Sequence, residues 1–237
     1  MPRSFLELFT EMGIDKQWDI WYIFSRYRLV GFKGKMISTP LEKGRLTRER
    51  IVVAAAELFR KNGFYNTSVS QIIKVAGLTK GGFYFHFKSK EELGDAVIEY
   101  MKDFWVHNVL EEIAKEKGAL GKIERMFDIM IKTHEGNVFH GCALLAVLTA
   151  ETMEVEQHFS ERLRRIYADW KDSIVEILRQ GKQEGLFKEW VNPDSLALLI
   201  IGSMQGTTMM AHLDPEHLDL SWLFRNLRLL LLEGVAS

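Results

Sequence analysis

Apolar residues recur at helical spacing in four successive stretches between residues 47 and 107, each opened by a capping residue. Thr47 precedes the first, in which Ile51, Ala55, Leu58 and Phe59 share one face. Asn62-Gly63-Phe64 ends it, with Gly63 suited to a left-handed cap and Phe64 folding back as its hydrophobic contact. Ser68 opens the second, and Gln71 completes a capping box that satisfies otherwise orphaned N–H groups. Here Val69, Ile72, Ile73 and Ala76 face inward, leaving Ser70, Gln71 and Lys74 outside. Gly77 marks a turn that needs positive φ, and Thr79 caps a third helix with Lys80, Gly81 and Gly82 in its first turn. Ser89-Lys90-Glu91-Glu92 is another capping box. It starts a helix that reaches about His107 through Leu93, Val97, Tyr100, Met101, Phe104 and Trp105.

From about Leu120 the helical pattern continues almost to the end, with breaks expected at Gly118 and Gly121, His134 to Gly141, Gly181 to Gly185, and Asp214-Pro215. Ile123, Phe127, Met130 and Ile131 form one face; Phe159, Leu163, Ile166, Trp170, Ile174, Ile177 and Leu178 form another. Asn192-Pro193 is a cap followed by proline at the first helical position, opening a helix from Leu196 to Met210. The last helix, from near Leu218 to Leu232, is rich in leucine. No strand-length alternation bounded by turns interrupts this pattern, so the expected fold class is all-α.

The segment from Ser68 to Phe87 is therefore two short helices joined by a glycine turn, the outline of a helix-turn-helix. Two glycines in the first turn of its second helix cost about 0.8–1 kcal/mol each relative to alanine in a helix interior. Their compensating use is close approach of backbone to a surface, with free N–H groups ready for phosphate.

Charge sharpens this reading. The net charge of −1 conceals a split: residues 43–90 carry +8, residues 91–237 carry −10 and residues 1–42 carry +1. One basic end suits phosphate, which supplies most non-specific DNA affinity. The chain has 237 residues, 47% hydrophobic and 27% charged, enough for a sizeable core in one or two domains. Its single cysteine, Cys142, rules out an internal disulfide and a cysteine-based zinc site. Glu7 and Glu11 stand where a signal peptide is acid-free, and no apolar run reaches the roughly 18 residues of a membrane span. The expected location is the cytoplasm, without membrane association. No nucleophile elbow, Walker loop, zincin motif or paired-cysteine site is present, so neither a catalytic residue, a metal nor a cofactor is expected. His134 and His140 flank a loop beside Cys142 without fixing a geometry. An all-α enzyme, or an interaction protein that does not bind DNA, is the alternative.

The stretch RIVVAAAELFRKNGFYNTSVSQIIKVAGLTKGGFYFHFKSKEEL resembles the DNA-binding domain of the TetR family of bacterial transcriptional regulators. The resemblance implies an N-terminal three-helix DNA-binding domain, residues 46–92, and a larger helical effector-binding and dimerisation domain, residues 93–237. It implies a repressor released from a pseudo-palindromic operator on double-stranded DNA by a small, largely apolar effector. Thr79, Lys80, Gly81, Gly82, Tyr84 and His86 would lie on or beside DNA and Lys90 on a phosphate, joined by the outward Ser70 and Gln71; the role of Phe85 stays open. The effector pocket would draw on Met101, Phe104, Trp105, Met126, Phe127, Met130, Cys142 and Trp170. A homodimer would pair the last two helices through Gly202 and Gly206, a small-residue stripe that otherwise serves packing within one chain, and through Leu223, Leu227 and Leu230.

Two readings stand apart. Residues 1–45, rich in aromatics, are either a leader ahead of a start at Met36 or a genuine extension, and Lys43, Gly44 and Arg45 would form a flexible basic arm near DNA. Cys142, at a helix start, is either a sensor with a lowered pKa or a buried small hydrophobe.

Overall fold

Capping residues and apolar spacing divide the chain much as expected. The computed structural model describes residues 40–135, 141–152, 157–214 and 216–235; the leader reading of residues 1–35, the Met36 start and the loop around His140 lie outside them. Helix α1 spans Pro40–Asn62, α2 Val69–Val75, α3 Lys80–His86 and α4 Lys90–Trp105. A π-turn, Val106–Leu110, and a short α5, Glu111–Ile113, continue α4 without a break. Then come α6 Ala119–Glu135, α7 Gly141–Thr152, α8 Gln157–Gln183, α9 Pro193–Leu213 and α10 Leu220–Val235. The described residues hold no strand-length segment, and the fold is all-α.

Several boundaries differ from the expectation. Helix α1 opens at Pro40, a residue suited to a first helical turn, upstream of Thr47. Thr47 Oγ1 therefore donates to the Lys43 carbonyl at 2.8 Å inside the helix and caps nothing. Lys43, Gly44 and Arg45 belong to α1, where Arg45 pairs with Glu49 one turn on at 2.9 Å, and the flexible arm is not found. Gly121 and Gly181 lie inside α6 and α8. At Gly181 a Cβ would come within 2.4 Å of the Phe187 ring, so the glycine there permits close packing and does not end the helix. The Ser89 cap forms with Glu92 N–H at 3.2 Å, but the Glu92 carboxylate reaches back to Lys88 N–H at 2.8 Å, one residue earlier than a capping box requires.

The first three helices enclose their own small core of Ile51, Ala55, Phe59, Ile72, Phe83 and Phe87, each fully buried. Fully burying a Phe or Ile side chain contributes about 1.5–3 kcal/mol, so these residues are a main favourable term in holding the three helices together. Gly63, at φ 82°, and Gly77, at φ 64°, make the two turns that only glycine adopts cheaply. The larger core runs through α6, α8, α9 and α10, with Ile123, Phe127, Leu178, Met204 and Phe224 at its centre. An ion pair of 2.8 Å between Arg228 and Asp128 ties α10 to α6.

Helix α9 is, by length and composition, apolar enough to cross a membrane, although the sequence shows no unbroken run. Its inner face, Ala197, Ile200, Ile201, Met204, Thr208 and Ala211, is built into the core.

Candidate nucleic-acid interface and effector cavity

Ser68 caps α2 with both halves of the capping box in place: its Oγ accepts from Gln71 N–H at 3.2 Å, and Gln71 Oε1 accepts from Ser68 N–H at 2.7 Å. Ser70, Gln71 and Lys74 are exposed on its outer side. Thr79 Oγ1 accepts from Gly82 N–H at 3.1 Å and so fixes the first turn of α3. The two glycines differ. A Cβ on Gly82 would press on that cap at 3.3 Å, whereas one on Gly81 meets nothing within 4 Å. No internal contact demands glycine at position 81.

Anchored by the buried Phe83 and Phe87, α3 presents Lys80, Gly81, Tyr84 and Phe85 to solvent. Phe85 is 82% exposed, an unusual position for a phenyl ring. His86 closes the helix, and burial, followed by the nearby Arg48 guanidinium, holds its imidazole below the usual range. Arg48 itself stacks over the Phe87 ring at 4.6 Å.

Lys90 is placed otherwise than the resemblance implies. Its Nζ donates to the carbonyls of Phe64 at 3.0 Å, Thr67 at 3.2 Å and Tyr65 at 3.5 Å, and lies 4.4 Å from the Phe64 ring centre. An ammonium has three donors. All three point at the α1–α2 turn, so in the chain by itself Lys90 clamps that turn.

At the far end of α4 the chain encloses a cavity of about 60 Å³, against roughly 10–15 Å³ needed per water on the same measure. Met101, Phe104, Trp105, Met130, Cys142 and Trp170 line it, together with Val109, Thr133, Leu145 and Ile166. Among the described residues no lining side chain is charged. The π-turn borders this cavity, and Asn108 Nδ2 donates to the Phe104 carbonyl at 3.0 Å, stabilising the wider turn. Trp105 and Trp170 meet edge to face at 4.8 Å, and Tyr167 stacks on Trp170 at 6.4 Å. Burial pushes the Cys142 thiol up to about 12, opposite to the lowering expected of a helix start, because desolvation outweighs the helix field.

The family "Bacterial regulatory proteins, tetR family" matches residues 51–97, and "Tetracyclin repressor-like, C-terminal domain" matches residues 119–223. A crystal structure of a TetR transcriptional regulator from Chloroflexus aurantiacus J-10-FL is 30% identical, with 82% of this chain and 98% of that one covered at a TM-score of 0.71. The chain belongs to the TetR family. The HTH-type transcriptional regulator LmrA of Bacillus subtilis is 30% identical over 60% of this chain and 77% of its own length. The Fatty acid metabolism regulator protein of the same organism is 26% identical over 78% and 94% respectively. A TetR-family chain with this helix-turn-helix is a DNA-binding transcriptional regulator and not an enzyme.

Within this TetR-family fold the cavity takes up six of the eight residues expected there. Met126 and Phe127 instead sit in the core, 1% and 0% exposed, about one turn of α6 before Met130, where neighbouring side chains fill the space that the cavity leaves open further on. Val109, Thr133, Leu145 and Ile166 were missed; each is an ordinary helical residue whose place depends on which helices meet. On the α3 side, α1 brings Arg48 beside His86, a neighbour that the helical spacing of α1 does not reveal.

A link between the two ends was also invisible. Glu151, near the end of α7, accepts from Phe64 N–H at 2.5 Å, and a Cβ on Gly63 would collide with its carboxylate. Helix α7 carries Cys142 and Leu145 at the cavity and Glu151 at the α1–α2 turn that Lys90 clamps.

Proposed function

We propose that this regulator is a cytoplasmic repressor that binds a pseudo-palindromic operator as a homodimer and is released when a small apolar molecule enters the cavity. The observation that carries this reading is the double connection between cavity and helix-turn-helix. Helix α4 holds Met101, Phe104 and Trp105 at the cavity and Lys90 at the α1–α2 turn; α7 holds Cys142 and Leu145 at one end and Glu151 at the other. A molecule that spreads the lining shifts both helices, and with them the separation of two α3 helices that must meet successive major grooves about 34–36 Å apart. A tenfold loss of operator affinity needs only about 1.4 kcal/mol of coupling.

On DNA, the N-terminus of α3 approaches phosphate through Gly81, and Thr79, Lys80 and Tyr84 with Ser70 and Gln71 of α2 flank it. Phe85 supplies apolar contact to thymine methyl groups. His86 and Arg48 face the backbone at the other end of α3.

The dimer reading rests on α9 and α10. Leu198, Leu199, Met209, Met210 and Leu213 are exposed along one side of α9, with Gly202 and Gly206 between them and no internal neighbour within 4 Å of either. Trp222, Leu229 and Leu230 continue the apolar surface on α10. Leu223 and Leu227, expected in the same interface, are half-buried, with Leu227 packed against the chain's own core, so they support the surface from beneath.

The test is selection of operator sequences from random DNA, followed by binding titrations with and without compounds that raise the thermal midpoint. Operator affinity that falls with a stabilising apolar compound supports the reading. Compounds that stabilise the fold yet leave operator affinity unchanged would leave an unregulated DNA-binding protein.

A further inference from the structure

Tryptophan is chosen in cores for its large apolar surface, but its indole N–H is a donor with no acceptor capacity and ordinarily finds a partner when buried. Two tryptophans line the cavity, Trp105 on α4 and Trp170 on α8, in direct edge-to-face contact. Both Nε1 atoms are buried, and neither has an acceptor. Trp170 as a whole is only 3% exposed. Two orphaned donors, on touching side chains that line one apolar cavity, are an expensive arrangement for packing alone, since buried polar groups in folded proteins are almost always satisfied.

The remaining lining does not supply the missing acceptors. Thr133 Oγ1 donates to the Ile129 carbonyl at 2.6 Å and neither indole N–H reaches it, and the other described lining groups are thioether, thiol, aliphatic or phenyl. Nor does any cation line the cavity among the described residues, so an ionised carboxylate would enter without a described partner and at high desolvation cost. The Cys142 thiol stays protonated, leaving no negative charge to repel an acceptor's dipole.

We propose that the effector is a neutral, largely apolar carbonyl compound, such as a ketone, ester or lactone, whose oxygen accepts from the indole N–H groups of Trp105 and Trp170. A carbonyl oxygen has two lone pairs and can serve both donors. This rests on the reading of the cavity as the effector site and adds the ligand's chemical class.

The experiment uses the full chain and unbranched molecules of one length ending in a methyl ketone, in plain hydrocarbon or in a carboxylate. Binding is followed by calorimetry and by the indole N–H resonances in NMR, assigned with Trp105→Phe and Trp170→Phe. The ketone should bind at least tenfold more tightly than either of the others, a difference of about 1.4 kcal/mol. Two indole resonances should move downfield with the ketone and stay in place with the hydrocarbon. Trp170→Phe should bring the ketone-to-hydrocarbon ratio toward one while hydrocarbon affinity is kept; if that variant fails to fold, the wild-type resonances decide. Equal affinity for ketone and hydrocarbon, or a preference for the carboxylate, overturns the inference and leaves the effector site standing. Failure of all three to bind overturns both. Ketone binding without loss of operator affinity upholds the ligand class and removes the switch.

Discussion

Gly81 and Gly82 are neighbours in one helical turn, yet only Gly82 is confined by its own fold, through the Thr79 cap. Gly81→Ala should therefore leave the thermal midpoint unchanged or raised, alanine being favoured by about 0.8–1 kcal/mol in a helix interior. Operator affinity should fall tenfold or more in fluorescence anisotropy, because the new methyl holds α3 off the phosphates; undiminished affinity would mean that this turn does not approach DNA. Lys90→Met should behave in the opposite way. Three carbonyls lose a charged donor, at a cost of about 1.5–3 kcal/mol for the first such bond, while the slope of log affinity against log salt stays put. Lys80→Ala should reduce that slope by about one, and a similar reduction for Lys90→Met would restore Lys90 to the phosphate. Cys142, with its pKa near 12, should be alkylated at pH 8 slower in the native protein than in urea, by a factor on the order of a thousand. Equal rates would expose the thiol. Because the raised pKa belongs to the folded state, its contribution to stability is complete below the unfolded value near 9 and is lost as pH climbs toward 12.

Two helices, α4 and α7, reach from the cavity to the α1–α2 turn, and their near ends meet on one residue. Phe64 offers its N–H to Glu151, its carbonyl to Lys90 and its ring to Phe159, 5.0 Å away. Gly94 of α4 is pressed into the same place: a Cβ there would come within 2.7 Å of Phe159 and 3.0 Å of Phe64. Contacts this close have no slack, so displacement of α4 or α7 must be passed on to the turn that leads into α2. Glu151→Gln keeps the shape but weakens the bond to Phe64 N–H from charge-assisted to neutral. Ligand affinity should be preserved, and the ligand-induced change in operator affinity should shrink by about threefold or more, measured by titrating operator at saturating ligand. An unchanged ligand effect would assign the transmission to α4 alone.

For the molecule as a whole, the exposed stripe on α9 and α10 decides whether two α3 helices can act together. Gly202→Glu and Leu230→Arg introduce charge where the fold itself has no contact, at Gly202, or only a 72% exposed side chain, at Leu230. Helicity by circular dichroism should be retained. Sedimentation should report a monomer, and operator affinity should fall by several orders of magnitude as the second half-site is lost. A doubly substituted chain that still sediments as a dimer would move the interface elsewhere. The same charge partition visible along the chain, basic before residue 90 and acidic after it, keeps the two ends of such a dimer apart in their affinity for phosphate.

The helices and the reading motif were legible in local sequence. Capping residues at Ser68, Thr79, Ser89 and Asn192, apolar spacing of three and four, and glycines at the turns are local signals, because they satisfy the backbone within a few residues. Family membership followed from that same contiguous stretch. Packing between elements far apart in the chain set the rest. It turned Lys90 inward to carbonyls 23 to 26 residues away, extended α1 back to Pro40, and set Met126 and Phe127 in the core while Val109, Leu145 and Ile166 line the cavity. It also joined Glu151 to Phe64 across 87 residues and left two indole N–H groups without acceptors. Periodicity marks a side chain as inward, but what it meets there is set by helix packing, in which residues remote along the chain become neighbours and a methionine in the core is indistinguishable from one at a cavity.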